Sequence, residues 1–311
     1  MPGNAPHLTI LMATRNGAAH LPAQLDSLLA QMHPHWSLLI SDDNSSDATG
    51  AILSAFQTNH ASAHDIRILR GPGRGATANF LHLLAKAPTD APVALCDQDD
   101  VWHPNKLLRA LDLMGDGIAP HAPPLAYSAQ SIITDADLRP IGRTRIPIPA
   151  QSLHNGLLQN TMVGHGIVLN PAALRLLQAA EAIDVPFHDW WISQIMAATG
   201  SRVIIDHAAT TLYRQHGRNV IGSRQGMTAR LARAGQLVNR DYGRWLRANV
   251  AALLANAPLL TPRAMALIAA TQDALSRPGP VRARAIAGLG LHRQTRGETA
   301  AVLAAMALGR I

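Results

Sequence analysis

The chain predicts an α/β fold: a mostly parallel central sheet flanked by helices, followed by a helical C-terminal region. Three observations predict it. Short apolar runs alternate with segments of helical periodicity from residue 7 to residue 97. Each apolar run ends in a cluster of polar or glycine residues. From about residue 227 onward the pattern is helical, with breaks at Pro258, Pro262 and Pro278-Gly279-Pro280. Sheets of this kind are covered by helices on both faces and bind their ligands at the carboxyl ends of the strands.

The elements follow in order. Residues 7–13 (HLTILMA) form a β-branched apolar run, and Thr14-Arg15-Asn16-Gly17 reads as a turn. Leu21, Leu25, Leu28 and Leu29 recur at the spacing of an amphipathic helix. Residues 36–40 (WSLLI) make a second strand, which ends in SDDNSSD. Residues 48–56 are helical and residues 65–69 (DIRIL) are a third strand, followed by GPGRGATAN and a helix over 80–87. Residues 92–96 are a fourth strand that runs into CDQDD. Farther on, a helix is expected over 171–180, another opening at Phe187-His188-Asp189-Trp190-Trp191, and a strand over 202–206 (RVIID). The expected division is a domain over 1–225, in two halves (1–118 and 119–225), then a helical region over 226–311.

Composition narrows the class. Of 311 residues, 48% are hydrophobic and 15% charged, which describes a folded globular protein and not a disordered one. The single cysteine, Cys96, excludes an intrachain disulfide and fits a reducing cytoplasm. No basic residue precedes the first apolar run, so that run reads as a buried strand and not a signal peptide. No apolar stretch reaches the roughly 18 residues of a transmembrane helix. The net charge of +7 is concentrated beyond Gly222. Such a basic region suits an anionic partner, the plainer reading being solvated helix faces.

The chemistry gathers after the strands. Asp97, Asp99 and Asp100 place three carboxylates within four residues. A carboxylate–x–carboxylate pair after a strand can hold a divalent cation through hard oxygen donors. Asp100 reads as the cap of the helix near Pro104, leaving Asp97 and Asp99 as the spare pair. Asp42 and Asp43, at the end of the second strand, can accept hydrogen bonds from a base edge or a ribose hydroxyl, while Asp47 suits a helix cap. The GPGRG loop offers glycines for close backbone approach and Arg74 for a phosphate. Asp189 beside two tryptophans has the composition of a sugar subsite, in which His188, Trp190 and Trp191 contact the sugar. Partial burial there would raise the Asp189 pKa toward that of a general base. His216 adds an imidazole that can ligate a metal.

Taken together, MATRNG, SDDNSSDAT, GATANF, CDQDDVW, HDWW and YRQHGRNVIG resemble, in that order, the motifs of family 2 glycosyltransferases of the GT-A (Rossmann-like) fold. The rhamnosyltransferase-like branch of bacterial polysaccharide synthesis is the most similar. The resemblance spans residues 7–222. It implies that Ala13, Thr14, Arg15 and Asn16 hold the base and ribose, with Asp42 and Asp43 beside them. It places Arg74, Asn79, Asp97 and Gln98 in the same nucleotide set. Asp99, Asp97 and His216 would ligate Mn2+ or Mg2+, and Asp189 would be the catalytic base. An aromatic residue often stands where this chain has Arg15.

The implied reaction is inverting transfer from a UDP- or dTDP-sugar to a glycan or lipid-linked saccharide acceptor. The expected setting is cytoplasmic and peripheral at the inner membrane, through the basic C-terminal region and with no nucleic-acid partner. The absence of Q-x-x-R-W after HDWW implies addition of one or few sugars. Two rival readings are a nucleotidyltransferase acting on sugar phosphates, for which TRNG is a poor match, and a non-catalytic nucleotide-sugar-binding scaffold.

Overall fold

The structure, a computed structural model, describes residues 6–145, 152–216 and 241–311. The basic stretch around Arg230, Arg233 and Arg240 lies outside those residues, as does the YRQHGRNVIG motif beyond His216. The described chain divides into two compact units.

The first unit is built on nine strands. They are β1 (Leu8–Thr14), β2 (Trp36–Asp42), β3 (Ile66–Arg70), β4 (Val93–Asp97), β5 (Val101–Trp102), β6 (Leu125–Thr134), β7 (Pro140–Arg143), β8 (Ile167–Leu169) and β9 (Arg202–Arg214). Their order is β3-β2-β1-β4-β8-β6-β9-β5, with β7 paired to β6. Pairing is parallel through β3-β2-β1-β4 and again between β6 and β9. It is antiparallel where β8, β5 and β7 join. The sheet is therefore mixed and mostly parallel.

Helices cover both faces, which is why β1 is buried at every position. Leu8, Ile10 and Met12 point to one side, where Leu21, Leu25 and Leu28 of α1 (Leu21–Leu29) meet them in a core with Leu38, Ile40 and Trp102. α2 (Thr49–His60) adds Leu53 and Phe56 there, and α4 (Lys106–Met114) adds Leu107 and Leu111. The opposite face is covered by α3 (Ala76–Lys86), which buries Phe80, Leu83 and Leu84. Cutting such a leucine back to alanine costs about 2–5 kcal/mol. The α1 stripe and the four leading strands lie where their periodicity puts them. One reading needs correcting: Asp100 does not cap α4, whose first turn opens at Asn105.

β9 is longer than the five-residue strand expected. Against β6 its register slips between Ala129 and Gln130 and again between Gln130 and Ser131, so that Asp206 faces Ala129 while Thr211 faces Ser131. At the first slip Asp206 accepts two bonds from the Arg109 guanidinium (2.6 and 2.9 Å) and one from the Tyr127 hydroxyl (2.6 Å). Burial works against the Asp206 carboxylate, but these donors outweigh it and bring its pKa down to about 2.

The second unit contains α5 (Leu153–Gly156), α7 (His188–Ala198), α8 (Asp241–Ala255), α9 (Pro262–Ser276), α10 (Gly279–Gly288) and α11 (Arg296–Ala307). α6 (Pro171–Ala179) belongs to the first. The prolines read as breaks turn out to open helices: Pro262 and Pro280 occupy first turns. Thr261 caps α9 by accepting from the Ala264 amide, and Thr295 caps α11 by accepting from that of Glu298. Each cap is worth about 1 kcal/mol.

Candidate active site

Parallel register brings the loops to one edge. Thr14 lies opposite Asp42, Asp42 opposite Arg70, and Ala13 opposite Asp97. The four polar clusters that follow β1 to β4 therefore emerge side by side at the carboxyl ends of the strands, as such a sheet requires.

The first loop is held by its main chain. Arg15 N donates to Gln98 Oε1 (2.8 Å), and Gln98 Nε2 donates to Arg15 O (3.0 Å). A side-chain amide thereby pairs with a peptide group as a neighbouring strand would. Asn16 adopts a left-handed conformation (φ 47°); its N–H donates to Ser45 Oγ and its Oδ1 accepts from Ser46 N, both at 2.8 Å. Thr14 Oγ1 donates to Asp42 Oδ1, which also accepts from the Ser45 hydroxyl. The Arg15 side chain is left 56% exposed above this frame.

Asp43 is placed differently from a free base-binding carboxylate. It is 1% exposed, and its two oxygens accept the amides of Gly73 (2.5 Å) and Gly75 (2.8 Å), with Arg15 Nη1 3.6 Å away. The GPGRG loop needs both glycines in left-handed conformations (φ 72° and 89°), and it wraps the carboxylate. Arg74 stands exposed at its tip. Asn79 is buried beneath the loops, where Nδ2 donates to Ser41 O (2.8 Å) and Thr14 O (3.4 Å). The nucleotide-facing role expected of Asn79 is corrected accordingly, because its amide bridges the ends of β1 and β2.

The acidic loop splits into two groupings. On the open side His216 Nε2 lies 2.7 Å from Asp99 Oδ2, and its ring packs 4.8 Å from that of His20. On the closed side the ligand atoms of Asp97, Asp100 and His165 lie within 4.8 Å of one another. His165 Nδ1 is 3.7 Å from Asp97 and 3.5 Å from Asp100, and its Nε2 is 2.6 Å from Ser131 Oγ. Asp100 Oδ1 accepts from Arg214 N, while its buried Oδ2 has no hydrogen-bond partner among the described residues.

Burial, then the Asp97 charge, raises the pKa of Asp99 against the pull of His216. Burial, then Asp99 and Asp97, raises that of Asp100 well above the usual carboxylate range. Lys106 supplies part of the counter-charge. Its Nζ donates to His165 O and to Thr211 Oγ1, each at 2.8 Å, and burial lowers its pKa to about 8 although the acids pull it up. Cys96, sealed behind the loop with its thiol pKa raised by burial, is chemically inert.

These residues fit a divalent cation. Hard carboxylate oxygens with an imidazole suit Mn2+ or Mg2+, and an orphaned buried carboxylate oxygen among like charges invites a positive partner. Asp97 belongs to the converging group. Asp99 and His216 pair with each other, and Asp100 and His165 take the inner places.

His188, Asp189, Trp190 and Trp191 belong to the helical unit. Asp189 sits in the first turn of α7, and its Oδ1 accepts from the Trp190 amide (2.7 Å). Trp190 and Trp191 are core residues, 4% and 1% exposed; Trp190 Nε1 donates to Gly156 O and its ring stacks on Tyr242. The expectation that both present faces to a sugar is corrected, since close-packed side chains cover them.

Sequence reasoning missed His165, Lys106 and Arg214. His165 is one of 15 histidines and lies 65 residues past the acids, so nothing local marked it. Lys106 carried a usable signal: it is one of two lysines in the chain and follows the acidic run.

A mostly parallel sheet with its acidic loop at the strand ends, accompanied by a helical unit, has the architecture of the GT-A glycosyltransferases. Residues 9–121 match the family described as Glycosyl transferase family 2. Over 241 residues the chain is 29% identical to the dTDP-rhamnosyl transferase RfbG of Shigella flexneri, covering 74% of this chain and 80% of that one. Over 158 residues it is 27% identical to WfgD of Escherichia coli, a UDP-Glc:alpha-D-GlcNAc-diphosphoundecaprenol beta-1,3-glucosyltransferase, covering 50% and 57%.

Two solved structures share the fold. The mannosyltransferase PcManGT from Pyrobaculum calidifontis, in complex with GDP-Man and Mn2+, has a TM-score of 0.55 at 18% identity and covers 99% of this chain and 88% of that one. S. aureus TarS 1–349, in complex with UDP-GlcNAc, has a TM-score of 0.56 at 15% identity and covers 98% and 89%. Residues 9–121 thus form a domain of the Glycosyl transferase family 2 type, and the chain is similar to glycosyltransferases over most of its length.

Proposed function

We propose that the protein transfers a sugar, with inversion, from a UDP- or dTDP-sugar to a hydroxyl of a glycan or lipid-linked saccharide. The observation that carries this reading is the acidic loop Asp97–Asp100 at the strand ends, tied through Gln98 to the Thr14–Asn16 loop. Residues 13–16 with Arg15 uppermost would receive the base and ribose, and Asp42 and Asp43 would shape that pocket from below. Arg74 would meet a phosphate. Names of relatives support the donor and acceptor classes: RfbG is a dTDP-rhamnosyl transferase, and WfgD uses a diphosphoundecaprenol-linked sugar.

Asp97 would hold the cation, with Asp99 and His216 on the open side and Asp100 and His165 as its buried wall. A bound Mn2+ or Mg2+ supplies Lewis-acid stabilisation of the departing diphosphate, worth several kcal/mol. Asp189 accepts the proton of the acceptor hydroxyl as that oxygen forms its bond to the anomeric carbon. The bond from the anomeric carbon to the diphosphate oxygen breaks, and the diphosphate leaves with the electron pair. Holding the two reactants in line contributes the other large part of the rate.

A thermal-unfolding panel of nucleoside diphosphates, with and without Mn2+, tests the reading. UDP or dTDP is expected to raise Tm in the presence of Mn2+ and to lose the effect in EDTA. No stabilisation by any nucleoside diphosphate would overturn it.

A further inference from the structure

The helical unit carries most of the charge of the chain. Residues 241–311 hold nine arginines against three acids, a net +6 of the chain's +7. Each acid is already engaged: Asp241 with Arg244, Asp273 with Arg277 and Glu298 with Arg293. The remaining six arginines have no ion pair among the described residues.

Several of them share one surface with exposed aliphatic side chains. Gly243 of α8 packs directly on Ile311 and lies beside Arg247; a Cβ there would sit 2.9 Å from Ile311 Cα and 3.1 Å from Arg247 Nη1. Gly279, at the start of α10, meets the carbonyls of Met306 and Ala307 at the end of α11. The first turns of α8 and α10 therefore converge on residues 306–311. Arg247 stands close enough to Arg282 to oppose its charge; burial, then Arg247, lowers the Arg282 pKa, and the buried Arg282 Nε has no hydrogen-bond partner among the described residues. Around this pair Val281 is 51% exposed, Leu308 77% exposed, and Arg310 is exposed as well.

Two neighbouring arginines with no ion pair among the described residues call for an anion. Aliphatic side chains projecting among them distinguish the kind of anionic surface. A nucleic-acid backbone has no use for Leu308, whereas the boundary between headgroups and acyl chains accepts arginine and leucine together. We infer that the surface formed by Arg247, Val281, Arg282, Leu308 and Arg310 docks on an anionic lipid bilayer, with phosphate headgroups between Arg247 and Arg282 and Leu308 inserted beside them. The surface lies within the basic C-terminal region from which a membrane contact was expected and assigns that contact to named residues. It deepens the lipid-linked-acceptor reading and rests on it only in preferring a bilayer to other polyanions.

Flotation of the full chain with phosphatidylglycerol/phosphatidylcholine vesicles tests the inference, with pure phosphatidylcholine and a DNA duplex as comparisons. Wild type is expected to float with the anionic vesicles and to detach as salt rises. At about 1 kcal/mol per basic side chain, the double variant Arg247→Gln/Arg282→Gln should lower partitioning about thirtyfold. Leu308→Asp should lower it severalfold. In both variants, stabilisation by nucleoside diphosphate and Mn2+ should match wild type, which shows that the fold and donor site are intact. Undiminished flotation of the double variant, equal binding to neutral vesicles, or preference for the duplex would each overturn the inference. Loss of nucleotide stabilisation in wild type itself would strike the donor reading and leave the docking surface standing.

Discussion

The side-chain amide of Gln98 pairs with the peptide of Arg15 through two hydrogen bonds, 2.8 and 3.0 Å long, across 83 residues of sequence. The middle residue of the acidic motif thus positions the Thr14–Asn16 loop, proposed above to receive the nucleotide, and its neighbours Asp97 and Asp99 are the proposed cation ligands. The fit is close: a methyl group on Gly17 would come within 2.2 Å of Gln98 Oε1.

Replacing Gln98 with Met keeps the volume and removes both bonds. At about 1 kcal/mol for each such bond, the variant should bind nucleoside diphosphate about tenfold or more weakly, with Tm nearly unchanged. Gly17→Ala should produce the same defect from the other side by pushing the amide away. Calorimetric titration with Mn2+ checks both, and wild-type affinity in Gln98→Met would show that the pairing does not serve the site.

Asp99→Ala removes the carboxylate that His216 contacts on the open side. Nucleotide affinity in Mn2+ should fall at least about tenfold, toward the value measured in EDTA. His165→Gln, which keeps a polar group on the closed side, should weaken Mn2+ dependence without abolishing nucleotide binding. If Asp99→Ala titrates like wild type while His165→Gln does not, the cation belongs to the inner grouping alone.

Asp189→Asn preserves size and the bond to the Trp190 amide but removes the proton acceptor. Transfer should drop at least about a hundredfold while nucleotide binding stays intact. Turnover like that of wild type would remove Asp189 from the chemistry.

The Arg109–Asp206–Tyr127 cluster sets an acid limit on stability. The Asp206 pKa is lowered in the fold, so its contribution is fully present above the unfolded value near 4 and is lost as pH falls through about 2. Asp206→Asn should flatten that acid limb and lower stability at neutral pH by about 1–2 kcal/mol, a modest figure because Arg109 is 40% exposed. Chemical denaturation between pH 2 and pH 7 provides the test.

Legibility in the sequence followed the range of the forces involved. β1 to β4 and α1 could be read because period-two and period-3.6 burial is local, and Leu8, Ile10 and Met12 face Leu21, Leu25 and Leu28 as their spacing demands. The strand-end clusters could be read because a parallel sheet has one ligand-binding edge. What escaped depended on contacts between distant segments. Asp100 looked like a helix cap because its partners, His165 and Arg214, lie 65 and 114 residues away. Trp190 and Trp191 looked like a sugar platform because composition does not reveal that Gly156 and Tyr242 cover Trp190. Asp43 and Asn79 were recognised as belonging to the site, yet their job of shaping loops depends on glycine amides and carbonyls that no motif displays.

The two register slips in β9 make that strand a length gauge. Between Asp206, anchored by Arg109, and Arg214, anchored by Asp99 and Asp100, the chain is longer than its partner β6. The surplus residues decide how far Tyr213, Arg214 and His216 reach. Deleting one of them would draw the far end back by about 3.3 Å and turn each following side chain to the opposite face. Insertions and deletions in residues 207–210 should accordingly be far scarcer among relatives than at the outer rim of the sheet. A homologue that tolerates one would have had to rebuild its acidic loop to match.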